Sequence, residues 1–147
     1  MVDVTTTTDI ARPIADVAAY AMDPDNVPSW YANIRSVAWQ TPPPLAVGTL
    51  LDFEARFLGR TLRYTYEVVD LVPGERLVMS TQQGPFPMET TYTFAAEGTD
   101  RTRMTLRNRG RPSRLAGLAR PLMSAAVRSA NRKDLARLKA VLERADR

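Results

Sequence analysis

Between Ile34 and Arg109 the apolar residues recur at every second position in one short segment after another. Segments of that period, bounded by turn signals roughly every ten residues, read as antiparallel strands with one buried face and one wet face. The clearest runs over Thr49–Phe57, where Leu51, Phe53, Ala55 and Phe57 alternate with Leu50, Asp52, Glu54 and Arg56. Leu58-Gly59-Arg60 turns the chain, and Leu62, Tyr64, Tyr66 and Val68 then alternate with Arg63, Thr65 and Glu67. Ile34–Gln40, Arg76–Thr81, Met88–Ala96 and Thr102–Arg109 complete the set, with Pro73-Gly74 and Gly98-Thr99-Asp100 as turns.

The flanks differ from this central block. Val2–Ile10 is Thr-rich and β-branched, a seventh strand. After it, Pro13 opens a helical turn in which Ile14, Val17 and Tyr20 or Ala21 recur at helical spacing, and a second short helical piece ends near Trp30 and Tyr31. From Ser113 the pattern is helical again, interrupted by Gly117 and Pro121. Leu115, Leu118 and Leu122 fall on a different side from the later stripe, so a kink is expected there and a final helix from about Pro121. That helix carries Leu135, Leu138 and Leu142 in one stripe, which extends back through Val127 and Asn131.

Strand parity sorts the side chains. Phe53, Phe57, Tyr64, Tyr66, Met79, Thr90, Tyr92 and Met104 share the face expected to meet the helix. Asp52, Glu54, Arg56, Arg63, Arg103 and Arg107 fall on the other. Asp52 and Glu54 could suit acid/base work by spacing. Their parity instead gives them solvent and arginine neighbours, on strands bearing Arg63 and Arg103.

A length of 147 residues fits a single domain, residues 1–147, large enough to bury a real core. The chain has no histidine and no cysteine. That removes the usual base near neutral pH, the Ser/His and Cys/His nucleophile pairs and nearly every zinc site. We therefore expect no metal and no bound redox cofactor; chemistry, if any, falls to carboxylates, tyrosines, arginines, hydroxyls or water. The missing thiols, and an N-terminus without a basic and apolar leader pattern, suit a cytoplasmic protein. Charge is uneven: residues 1–100 hold six basic and 13 acidic groups, residues 101–147 hold 14 basic and three acidic. A basic half can signal nucleic acid. Here 18 of 20 basic residues are arginine in an Ala- and Pro-rich chain, which reads as codon bias, with basic elements folded beside acidic ones. No nucleic acid, no membrane insertion and a monomer or weak homodimer are expected.

The order β-α-α-β-β-β-β-β-β-α resembles the START/Bet v 1-like (SRPBCC) superfamily, and the local residues resemble its bacterial polyketide cyclase/dehydrase-type branch. The matching features are Ile10 and Pro13, Val17, Asp23, Asn26, Trp30, Gly48, Pro73, Arg76-Leu77-Val78, Tyr92, Thr102, and the tail from Asn131 through Asp134-Leu135 and Leu138-Lys139 to Leu142-Glu143. The resemblance implies an α+β helix-grip fold, a curved antiparallel sheet of about seven strands around a long C-terminal helix. It also implies a cavity between the two for a hydrophobic or aromatic small molecule, lipid- or polyketide-like. Some members are aromatases, cyclases or hydrolases. Arginines stand in the pockets of the aromatase/cyclase members, whereas parity puts the arginines of this chain outside.

The candidate ligand-binding set is therefore Trp30, Phe53, Phe57, Tyr64, Tyr66, Met79, Thr90, Tyr92, Met123, Val127 and Asn131. For Phe53, Val127 and Met104 plain core filling is the favoured reading. Three phenols on one concave face are easier to satisfy around a wet or ligand-filled space. Trp30 is expected at the mouth of the cavity, as a lid. Asn131 interrupts an apolar stripe and must be bonded, either to a strand backbone group or to ligand.

Overall fold

A computed structural model of the protein describes residues 2–57, 59–81, 87–110 and 120–144. Seven strands form one antiparallel sheet: β1 (Val2–Ile10), β2 (Ile34–Trp39), β3 (Leu50–Phe57), β4 (Arg60–Val72), β5 (Arg76–Thr81), β6 (Met88–Ala96) and β7 (Thr102–Gly110). Their spatial order is β1-β7-β6-β5-β4-β3-β2. Strands β2 to β7 are a plain meander, as the turn spacing predicts. The first strand instead pairs with the last, from Val2 opposite Gly110 to Ile10 opposite Thr102.

That pairing leaves β1 and β2 at opposite edges, and the segment between them must cross the sheet. It does so as helix α1 (Ile14–Ala21), a 3₁₀ turn at Pro24–Asn26 and the single turn α2 (Val27–Trp30). Pro13 stands just before α1, and Asp23 caps the 3₁₀ turn by accepting the Asp25 N–H at 3.0 Å. Strand β4 is long enough to serve two partners. Its first half pairs with β3 and its last residues with β5, and a bulge between Val68 and Asp70 bends it where the partner changes. At the β4–β5 turn Gly74 takes φ 79°, a conformation that favours glycine.

Parity holds across the sheet. Leu51, Phe53, Tyr66, Val68, Leu77, Met79, Tyr92, Met104 and Leu106 are buried, while Arg56, Arg63, Arg103 and Arg107 are exposed and Asp52 and Glu54 half-buried. The outer face is laced with ion pairs: Arg63 with Glu54, Arg107 with Asp3, Arg103 with Asp9 and Glu97, Arg109 with Glu89. Basic β7 thus lies between acid-bearing β1 and β6. One expectation needs correcting: Arg103 is not a neighbour of Asp52 and Glu54, because β7 is separated from β3 by β4, β5 and β6. Sequence parity reports the face, not the strand order.

The C-terminal helix α3 (Arg120–Arg144) closes the inner face. Leu135, Leu138 and Leu142 join the main core, and Leu122 is exposed, on the other side of the helix as its spacing implies. The expected break near Gly117, with Leu115 and Leu118, lies outside the described residues. Polar contacts pin the helix at its far end. Lys139 Nζ donates to the Asp9 carbonyl at 2.6 Å, the Ala11 N–H to Glu143 at 2.9 Å, and Arg12 to the Leu142 carbonyl at 2.7 Å. The last of these gives a carbonyl near the helix C-terminus a side-chain donor. Among the described residues no helix is long and apolar enough to cross a membrane.

Because Leu138 is fully buried between helix and sheet, Leu138→Ala is expected to cost about 2–5 kcal/mol in urea unfolding. A loss well under this range would show that α3 contributes little to the core.

Candidate functional site

The inner face of β3 and β4 presents three rings in mutual contact. Phe53 and Tyr64 are cross-strand partners with ring centroids 5.7 Å apart, and Tyr66 meets both edge-on, at 5.0 Å from Phe53 and 5.4 Å from Tyr64. Such edge-to-face pairs are the favoured aromatic geometry. Tyr66 is buried and bonded, whereas Tyr64 is half-buried and its hydroxyl has no hydrogen-bond partner among the described residues.

From Tyr66 a chain of polar side chains runs across the sheet to the helix. The Tyr66 hydroxyl lies 2.9 Å from Thr90 Oγ1, Thr90 donates to Asn108 Oδ1 at 2.6 Å, and Asn108 Nδ2 donates to Asn131 Oδ1 at 3.2 Å. Strands β5 and β7 flank this line: Met79 stands opposite Thr90, and Asn108 is its partner on β7. Asn131 therefore bonds a strand, as one of the two expectations required. The group it meets is a side-chain amide, however, and not backbone. Its own Nδ2 is buried without a partner among the described residues.

A second group gathers on the α2 side. Trp30 is wholly buried, 4.2 Å from the Tyr31 ring and 5.6 Å from that of Tyr92, and the Tyr92 hydroxyl donates to Tyr31 at 3.0 Å. This corrects the lid expectation: the single turn α2 directs the indole into the core, where it is wholly buried. Asp134 of α3 is buried beside this group and accepts the Ala32 N–H at 3.0 Å. Burial raises its carboxyl to about 6, with the Ala32 bond and the Arg137 charge opposing. Burial also pushes Tyr66 up to about 12 against the Thr90 bond, and drives Tyr31, Tyr64 and Tyr92 well above the phenol range. Near neutral pH these phenols are un-ionised hydrogen-bonding groups and not bases.

The remaining candidates separate. Met123 joins Val2 and Val4 in a satellite cluster, and Val127 packs against that cluster, half-buried. The helix crosses β1 there and not the aromatic strands, which helical spacing could not reveal. The Phe57 side chain lies outside the described residues. Two open recesses have other linings. One of about 590 Å³ lies on the outer face around Thr5, Thr7, Asp9 and Arg103. The other, of about 370 Å³, lies between Ala32–Asn33 and the α3 residues Ala130, Lys133 and Asp134. Asp134, Tyr31 and Asn108 stand outside the candidate set that parity and spacing define. Asp134 follows Asn131 by three positions and precedes Leu138 by four, so the helical period already put it on the buried stripe.

A curved antiparallel sheet closed by a C-terminal helix, with two short helices after the first strand, is the helix-grip architecture of START-like proteins. The chain belongs to the family described as polyketide cyclase / dehydrase and lipid transport, whose profile matches residues 1–143. Among solved structures it is similar to a START superfamily protein from Mycobacterium smegmatis, at 14% identity and TM-score 0.85 over 97% of both chains. It is also similar to the protein TTHA0849 from Thermus thermophilus, at 20% identity and TM-score 0.83 over 99% of both. A third is the aromatase/cyclase Zhui from a Streptomyces species, at 18% identity and TM-score 0.80, covering 99% of this chain and 95% of that one. At these identities the likeness is one of fold. A search among curated proteins finds no match.

The raised carboxyl of Asp134 has a consequence for stability. A group whose folded pKa lies above its unfolded value stabilises the fold at low pH, and that contribution is lost as pH rises through the folded value. For Asp134 the window runs from about 4 to about 6. Asp134→Asn keeps an acceptor for Ala32 and removes the buried charge. It should exceed the parent in stability by about 1–2 kcal/mol at pH 7, after allowance for solvent screening, with the difference vanishing toward pH 4. Urea titrations of both proteins at the two pH values check this.

Proposed function

We propose that residues 1–147 form one domain that binds a hydrophobic or aromatic small molecule between the inner face of the sheet and α3. The observation that carries this reading is the concentration of phenols there. Burial raises the pKa of Tyr31, Tyr64, Tyr66 and Tyr92, and neighbouring phenols raise those of Tyr31, Tyr64 and Tyr92 further. A close-packed aliphatic core needs no such groups. A ligand site needs a few placed polar atoms in an apolar wall. Membership of a family described by cyclase, dehydrase and lipid transport functions supports the same class of occupant. A cytoplasmic location and a monomeric or weakly dimeric state are part of the proposal.

A second reading, cyclisation or dehydration of a polyketide-like chain, is favoured by one observation. Asp134, with its pKa near 6, lines the 370 Å³ recess and is the one carboxylate tuned toward neutral pH among the described residues. Strongly perturbed groups of this kind concentrate at working sites. In that reaction Asp134 would move the proton and the neutral phenols would hold oxygen atoms of the chain. Turnover that rises through pH 6 and disappears in Asp134→Asn would select it over simple binding.

For the binding reading, an apolar fluorescent probe should bind at micromolar concentration and quench Trp30 in a Trp39→Phe background, and it should raise the melting temperature. Tyr66→Leu should change the ranking of probes more than it changes stability. If no probe binds or shifts the melting temperature, the inner face is solid core and the proposal fails.

A further inference from the structure

Ion pairs are unevenly placed on this molecule. On the outer face of the sheet Arg63, Arg103, Arg107 and Arg109 each hold a carboxylate. The exposed side of α3 presents Arg128, Arg132, Lys133 and Arg137, and none of these has a carboxylate partner among the described residues. The helix's own acids are engaged elsewhere. Asp134 is buried on the Ala32 N–H, and Glu143 is held by Lys139 and the Ala11 N–H. Charge of the opposite sign is left over close by. Residues 13–34 hold Asp16, Asp23 and Asp25 and no lysine or arginine. Asp16 pairs with Arg12. Asp23 and Asp25 are exposed and accept from the Asp25 N–H and the Trp39 indole, with no cationic partner among the described residues.

The two patches adjoin. Arg137 donates to the Ser29 carbonyl at 3.2 Å, and Ser29 Oγ donates to the carbonyl of Asn26, the residue after Asp25. The 370 Å³ recess lies at the junction, with Ala32 and Asn33 on one wall and Ser129, Ala130 and Lys133 on the other. One surface thus carries an acidic half beside a basic half, and neither is neutralised within the described chain. Such a surface fits itself: a two-fold rotation lays the acidic half of each copy on the basic half of the other, at two equivalent places, and the contact closes. We propose that the protein forms a salt-sensitive two-fold dimer through this face, with Asp23 and Asp25 of each copy against the α3 cations of the other. Other occupants match one half only. An anionic membrane or an acidic protein would meet the cations and be repelled by Asp23 and Asp25. Leu122 aside, the exposed positions among those cations are Ala125, Ala126, Ser129 and Ala136, which lack the large apolar side chains of a helix that enters lipid. The inference selects the dimer of the two states given above and is independent of whether the inner face binds a ligand.

Exposed pairs contribute little each and are screened by salt, so the dissociation constant should be on the order of 10–100 μM at low salt. Sedimentation velocity of the intact chain over that range, in about 20 mM and about 500 mM sodium chloride, tests this. A reversible monomer–dimer equilibrium is expected, about tenfold or more weaker at the higher salt, with nothing larger than the dimer. Arg132→Glu/Lys133→Glu should be monomeric, as should Asp23→Lys/Asp25→Lys, and an equimolar mixture of the two variants should recover a dimer. Circular dichroism reports whether each variant is folded; if the aspartate variant is not, the salt dependence and the α3 variant decide. A chain monomeric at low salt, a dimer indifferent to salt or to the α3 changes, a mixture of folded variants that stays monomeric, or open-ended growth would overturn the proposal. A monomer that instead floats with anionic vesicles through the same cations would give this face to a membrane and overturn it equally.

Discussion

The pairing of β1 with β7 is the constraint on which the rest of the molecule depends. It joins residues about a hundred positions apart, from Val2 with Gly110 to Ile10 with Thr102, and so carries a large loop-closure cost. Once made, it sends the chain across the sheet through α1 and α2 to reach the opposite edge. It brings Asp3 and Asp9 beside Arg107 and Arg103, and it supplies the strand against which Met123 packs. The basic half of the chain looks anomalous in one dimension. In three it is the counterpart of an acidic first strand.

The inner face is built to two standards. Toward β1 the contact with α3 is aliphatic, with Val2, Val4 and Met123. Toward β4 and β6 it turns aromatic and polar, with Tyr66 and Thr90 bonded in line to Asn108 and Asn131, and Trp30 packed on Tyr31 and Tyr92. Buried phenols and amides stabilise a fold only when their bonds are complete. Among the described residues two buried atoms, Trp30 Nε1 and Asn131 Nδ2, lack that completion. Both belong to the aromatic and polar half, which is where the energetic compromise of the domain is concentrated.

What is legible in the sequence follows from periods. Alternation assigns the strands of the meander, and it puts Phe53, Tyr66 and Tyr92 inward and Arg63 and Arg107 outward. The fold class follows from element order. Parity cannot say how α3 lies on the sheet, because the stripe fixes which side of a helix is buried and not which strand it meets. By period alone Met123 and Val127 therefore group with residues they do not join. Trp30 escapes for a similar reason: a one-turn helix has too few residues to show which way it faces. Asn131 reads correctly as an amide in need of a partner, but Asn108 as that partner requires the β6–β7 register. Asp134 is readable from spacing and easily overlooked, because a carboxylate on a helix is ordinarily a surface group.

The seam between first and last strand also orders events during synthesis. β1 leaves the ribosome about a hundred residues before β7 exists to pair with it, and the sheet cannot be completed until that partner is available. For that interval β1 is an unpaired, β-branched segment, the kind of chain that finds wrong partners. Its two aspartates, Asp3 and Asp9, are throughout the wait without the arginines they pair with in the finished sheet. The arginines that neutralise them, Arg107 and Arg103, arrive on the strand that ends it. The charges that pair across this seam in the finished sheet are therefore divided, during synthesis, between the first strand and the last.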